Sequence, residues 1–172
     1  ALIERPTRGQ VIVGGRPLGK LGYHEIPAYR QQIGMVFQDN RLLNDRSAFE
    51  NVALPLIISG IGHREIGKRV RAALDQVGLL DREKYPPRSL SAGEQQRLSI
   101  ARAVVSRPKV LIADEPTGNL DPDLSLEIMT LFRRLNEVGV TMLIASHDLQ
   151  LVEKFGSRRI VLSGGQVSSS DT

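Results

Sequence analysis

The stretch "VLIADEPTGNLD", Val110 to Asp121, carries an apolar run directly into Asp114 and Glu115, with Asp121 close behind. An ionised carboxylate at the end of a buried strand costs several kcal/mol unless a cation or strong donors compensate it. The adjacent pair suits a Mg²⁺ ligand beside a base that orients water for attack on a phosphate, with Asp114 the metal ligand and Glu115 the base. The plainer alternative has both acids capping loops or pairing with arginines. Asp121 precedes Pro122, the pattern of a helix N-cap followed by proline in the first turn, which accounts for both residues and is compatible with a further role. His147 closes a second apolar run in "SHD", either as a catalyst or as a satisfied polar residue.

"LSAGEQQR", Leu90 to Arg97, holds Ser91 and Glu94 at capping-box spacing, and Gly93 lets the backbone approach a neighbour. A helix start of this kind presents free N–H groups and a positive dipole end, which suits phosphate; it is also an ordinary helix start. Upstream, "GGRPLGKL" (Gly14 to Leu21) matches the first seven positions of a G-x-x-x-x-G-K-[ST] phosphate loop. It is rejected as one, because Leu21 replaces the hydroxyl residue, Pro17 removes an amide donor and Pro27 falls inside the helix the motif requires.

These residues need a scaffold that brings strand ends together. "GQVIVGG" (Gly9 to Gly15) and "QIGMVFQ" (Gln32 to Gln38) read as strands. Ser47 and Glu50 form a capping box for a helix that Pro55 should kink or end. Ile66, Val70, Ala73, Leu74 and Val77 share one helical face, stopped by Gly78. A helix is expected from about Ala92 to Arg107, ending at Pro108, then the strand "VLIAD". A further helix carries Leu124, Ile128, Leu131, Leu135 and Val138 to Gly139, followed by the strand "TMLIASH". Continuous apolar strands separated by helices indicate a parallel sheet covered on both faces, with ligands beyond the strands' carboxyl ends.

A chain of 172 residues, 41% hydrophobic and 24% charged, is ordinary for one globular domain. The net charge of +4 is scattered and few aromatics interleave with it, so nucleic acid is not an expected partner. Absence of cysteine excludes disulfides and thiolate metal sites. The longest apolar stretch, "VALPLII", is far short of the roughly 20 residues a spanning helix needs. "ALIERPTRGQ" lacks a signal-peptide core and reads as mid-domain sequence, so a cytoplasmic location is expected.

Taken together, "LSAGEQQRLSIARAVVSRPKVLIADEPTGNLD", "IGMVFQ" and "SHD" resemble the nucleotide-binding subunits of ABC ATPases over nearly the whole chain. The resemblance implies an α/β P-loop NTPase (RecA-like) parallel sheet with an inserted helical subdomain, incomplete at the N-terminus. Core strands would occupy residues 1–39, the helical subdomain 40–102 and the remaining core 103–172. It implies ATP and Mg²⁺ as cofactors, with Glu115 and His147 catalytic and Asp114 and Gln38 at the metal. Gln38, Ser91, Gly93, Glu94 and Asp121 would contact nucleotide, the signature residues serving the ATP of a second copy in a nucleotide-sandwich dimer. The acidic run is similar to the group that includes FtsE, LolD and MacB, and "LLNDRS" looks most like the FtsE type.

That type implies coupling of ATP hydrolysis to an FtsX-like integral membrane protein in cell division, with the subunit peripheral on the inner face of the plasma membrane. The surface between Gln38 and about Gly60 would meet the partner. The alternatives are the ATPase of a lipoprotein-release or MacB-like exporter, or a soluble ABC-type protein acting on ribosomes or DNA. Two departures follow from the resemblance. Ala92 replaces a usual glycine, at a cost of roughly 1 kcal/mol if the position demands positive φ. The family's Walker A loop lies before the segment matching "ALIERPTRG", so these residues alone are expected to be inactive.

Overall fold

The computed structural model describes residues 2, 4–156 and 158–170. Its centre is a parallel sheet in the order β3 (Ile33–Val36), β4 (Val110–Asp114), β5 (Thr141–Ala145). The register pairs Val36 with Ala113 and Asp114 with Ala145, so all three carboxyl ends open on one edge of the sheet. Before it stand a short hairpin of β1 (Ile12–Val13) and β2 (Arg16–Pro17) and the helix α1 (Ile26–Arg30). After it come α6 (Leu149–Phe155) and an antiparallel pair, β6 (Ile160–Ser163) and β7 (Gln166–Ser170).

Between β3 and β4 the chain builds α2 (Ala48–Ile58), α3 (His63–Gln76) and α4 (Ala92–Val104). Both expected capping boxes form: Ser47 with Glu50 starts α2, and Ser91 with Glu94 starts α4. A large core runs without a break from the helical layer into the sheet, through Val52, Leu56, Val70, Leu74, Leu98, Leu111, Ile128 and Phe132. A smaller one gathers Leu18, Leu21 and Tyr29. α4 serves both layers, packing on α2 and α3 and also on β3. Gly34 permits that approach, since a Cβ there would stand 2.5 Å from the Ala103 carbonyl oxygen. α5 (Pro122–Glu137) connects β4 to β5 and packs against β5.

One local expectation is sharpened and three are corrected. α2 runs through Pro55 to Ile58, because Val52, Ala53 and Leu56 are buried in the core and only one turn follows the proline. α4 stops at Val104, and Arg107 takes φ 53°, as the steric demand of Pro108 on the preceding residue disfavours helix. Val138 is no part of the apolar face: it follows α5 as C-cap and is 74% exposed. β5 is covered on one face among the described residues, with Met142 and Ile144 toward the core and Leu143 58% exposed. The P-loop-like stretch is a Gly14–Gly15 turn, where both glycines have positive φ, followed by the short 3₁₀ segment Leu18–Lys20.

Candidate functional site

The chemistry-bearing residues sit just past the aligned strand ends. The amide of Glu115 donates to the Ala145 carbonyl at 3.0 Å, carrying the β4–β5 ladder one residue beyond Asp114. Next to Ala145, Ser146 Oγ accepts from the Asp148 amide, and the Asp148 carboxylate caps α6 by accepting from Leu151 N. His147 is thereby held between a strand end and a helix start. Its Nδ1 lies 2.8 Å from Glu115 Oε1. The bonded carboxylate, and its charge, hold His147 above the usual histidine range. The ring is otherwise exposed, so Nε2 is free to meet a ligand.

Glu115 shares a cleft of about 330 Å³ with Gln38, Asn40, Gln95, Gln96 and Asn119. Gln38 Nε2 and Glu115 Cβ lie 3.5 and 3.6 Å from where a Gly118 Cβ would stand, so both face the same loop. The lining is largely carboxamide, and Gln96 Nε2 and Asn40 Oδ1 are buried there without a hydrogen-bond partner. Such groups have unused capacity for a polar guest. Glu115 itself has φ 44°, a left-handed conformation that side-chain-bearing residues rarely adopt.

Asp114 is exposed at the tip of β4 and none of the described residues donates to its carboxylate. No group of three or more His, Cys, Asp or Glu side chains among the described residues could cage a metal. Mg²⁺ keeps waters and substrate phosphates as ligands and takes one or two protein oxygens; the Asp114 carboxylate, exposed and accepting no bond from a described residue, is a ligand of that kind.

The signature residues stand apart from that cleft. Ala92, Gln95 and Gln96 form its wall, whereas Ser91, Gly93 and Glu94 are not among its lining residues. Ser91 Oγ accepts from Glu94 N at 3.2 Å, Glu94 Oε2 accepts from Ser91 N at 2.8 Å, and the Ser91 hydroxyl also bonds the Glu94 carboxylate. That backbone bond, with Arg82 3.8 Å from the other oxygen, holds the Glu94 carboxyl below the usual range. Gly93 is buried against α5: a Cβ there would meet the Leu124 side chain at 3.1 Å. Ala92 begins α4 and is not among the left-handed residues, so the departure from glycine carries no backbone strain. Asp121 is the N-cap of α5, accepting from Leu124 N at 3.0 Å, and does not line the cleft.

Two features escaped the sequence. Asn119 lines the cleft inside a motif whose acids drew attention away from it. Arg102 donates to the Asn40 and Arg41 carbonyls, a contact across some sixty positions that no local pattern signals.

Comparison with known proteins identifies the family and the fold. The family model described as ABC transporter matches residues 1–118. The cell division ATP-binding protein FtsE of Escherichia coli (strain K12) is 53% identical over 165 residues, covering 96% of this chain and 74% of that protein. FtsE of Streptococcus pneumoniae serotype 2 is 46% identical over 160 residues, covering 93% and 70%. Among solved structures, the dimeric post-hydrolysis state of the ATP-binding cassette MJ0796 bound to ADP and Pi superposes with a TM-score of 0.86 at 35% identity, covering 98% of this chain and 75% of that one. The sheet is therefore that of a P-loop NTPase, and the chain belongs to the ABC transporter family of ATPases.

Proposed function

We propose that this chain belongs to the ATP-hydrolysing FtsE-type subunit that works with an FtsX-like integral membrane protein in bacterial cell division, and supplies its acidic, histidine and signature residues. The observation that carries the reading is the Glu115–His147 pair at the ends of adjacent parallel strands, with Glu115 also lining the cleft that holds Gln38. Identity to FtsE over nearly the whole chain supports the cellular setting.

Glu115 accepts a proton from a water molecule and aims it at the terminal phosphate. While His147 is protonated, Nδ1–H donates to Glu115 and Nε2–H is available to a phosphate oxygen gaining charge. Asp114 and Gln38 would hold Mg²⁺, which when bound would supply positive charge against the phosphates. Ser91 and the amides at the start of α4 receive the phosphate of the nucleotide held by a second copy, the hydroxyl exchanging its bond to Glu94 for one to phosphate. Gly93 sets the seat of that helix on α5, Glu94 keeps its first turn closed, and Asp121 fixes the start of α5 near the dimer contact. Dimeric structures of related cassettes support the second copy.

Among the described residues no helix is long and apolar enough to cross a membrane. Attachment to the inner face of the plasma membrane comes through the partner, which docks on the segment between Gln38 and Gly60. Ile57 and Ile58, 55% and 70% exposed at the end of α2, offer it an apolar foothold. The test is Glu115→Gln in the full-length subunit. Turnover should fall by about 10²–10⁴-fold with nucleotide binding retained, the range for loss of a general base. Undiminished hydrolysis would remove Glu115 from the chemistry and the reading with it.

A further inference from the structure

Arg102, near the end of α4, is half-buried, and its guanidinium reaches back across the cleft wall to the turn that follows Gln38. Nη1 donates to the Arg41 carbonyl at 2.6 Å and Nη2 to the Asn40 carbonyl at 2.5 Å. Burial pushes its pKa down, so the charge is poorly solvated where it stands. No carboxylate among the described residues pairs with it; the two carbonyl dipoles supply the compensation.

The choice of acceptors is informative. Asn40 and Arg41 both lie in the left-handed region, with φ 51° and 47°. In a helical conformation of either hand successive carbonyls point the same way, whereas in extended chain they alternate. One planar fork can therefore take both oxygens while both residues keep a helical conformation, here the left-handed one, and loses one of them if the turn extends. The same turn is closed from its other side: Asn40 N donates to the Phe37 carbonyl at 3.1 Å, and the Arg41 guanidinium lies 4.0 Å from the Phe37 ring centre. Gln38 lies between these fastenings, and its amide group faces the Glu115 loop. At the other end of α4 are Ser91 and Glu94.

We propose that Arg102 is a positioning residue for ATP hydrolysis: by fastening the Asn40 and Arg41 carbonyls to α4, it sets the Gln38 side chain in the cleft and makes the Gln38 turn move with the helix that begins at Ser91. Arg102 touches no reacting atom and acts through Gln38. The proposal rests on the roles assigned above to Gln38 and Glu115.

The test uses the full-length subunit with Arg102→Lys, which keeps the charge and most of the stem but replaces the fork by a single ammonium. Mispositioning a group at the chemistry without removing it should lower kcat about tenfold and leave KM for ATP within about twofold. In a Gln38→Ala background the same change should alter kcat by less than about twofold, since effects through one group do not add. Amide exchange at Asp39 to Leu43 should speed up in Arg102→Lys while α4 stays protected. Full multiplicative loss in the double variant, or equal damage to kcat and KM, would overturn the proposal. So would failure of both Arg102→Lys and Arg102→Gln to yield folded protein, which would make the residue structural. A Gln38→Ala variant with undiminished turnover removes the underlying reading, while unchanged exchange in Arg102→Lys removes the clamp. Either overturns the proposal, and the two readouts tell the failures apart.

Discussion

Alanine at position 34 should be among the most damaging one-carbon changes in the molecule, and the reason is visible on α4. A Cβ there would stand 2.5 Å from the Ala103 carbonyl oxygen, 2.7 Å from Leu111 Cδ1 and 3.1 Å from Pro108 Cγ. Leu111 can rotate away, but the Ala103 carbonyl belongs to the helix backbone and cannot. Relief therefore requires α4 to lift from β3. Overpacking of this kind costs about 1–3 kcal/mol, and reduced freedom of the unfolded chain returns about 0.4–1 kcal/mol, leaving a net loss near 1–2 kcal/mol. For a domain of this size that lowers Tm by about 2–8 °C. The control is Gly67→Ala in α3, where the Cβ would meet only Arg71 Nη1 at 3.7 Å. There the helix-propensity gain of up to about 1 kcal/mol should appear as added stability. Gly93→Ala falls between, because its neighbour is the flexible end of Leu124. Urea unfolding followed by far-ultraviolet circular dichroism ranks the three midpoints. A Gly34→Ala midpoint at or above that of Gly67→Ala would refute the packing argument.

His147 should titrate above its ordinary value of 6.5, and Glu115→Gln should bring it down, both read by NMR of the ring protons. Because the folded-state value is the raised one, the pair's contribution is complete below about pH 6.5 and disappears as pH climbs through the folded-state value; a midpoint at or below 6.5 refutes the contact. Asn51→Leu should destabilise by about 1–3 kcal/mol, since the fully buried Asn51 bonds both the amide and the carbonyl of Leu43 and the Ser47 carbonyl, and leucine strands them. Unchanged urea stability would contradict it. The 172 residues by themselves should show no ATP turnover above background, because their one P-loop-like stretch is used in a hairpin turn and a 3₁₀ segment; turnover abolished by Glu115→Gln would reverse that.

What could be read from the sequence follows the range of the forces involved. Ser47 with Glu50 and Ser91 with Glu94 close bonds over three residues, so spacing alone found them. Asp121 and Pro122 announced α5 for the same reason, and "VLIAD" announced a buried strand through continuous apolarity. Val138 was misread because periodicity does not mark where a helix turn ends, and that α2 runs one turn past Pro55 depends on core contacts that local preference does not report. That Glu115 meets His147 depends on the β4–β5 register, and that Arg102 meets Asn40 depends on how α4 lies over β3; neither leaves a trace in local pattern.

Backbone strain marks the cleft independently of any motif. Among the described residues only five side-chain-bearing positions have positive φ, and three of them, Asn40, Arg41 and Glu115, follow the carboxyl ends of neighbouring parallel strands. Each costs about 1–2 kcal/mol against an ordinary conformation and persists only where surrounding bonds over-determine it. Glu115 is held by its amide bond to Ala145 and by Gly118 N donating to its carbonyl; Asn40 and Arg41 are held by Arg102. A sheet that merely needed connections could have used glycine at all three places. Keeping a carboxylate at one of them, bonded to a histidine and lining a cleft rich in carboxamides, is what the proposed hydrolysis requires, because the left-handed turn directs the Glu115 side chain where an extended continuation of β4 would not.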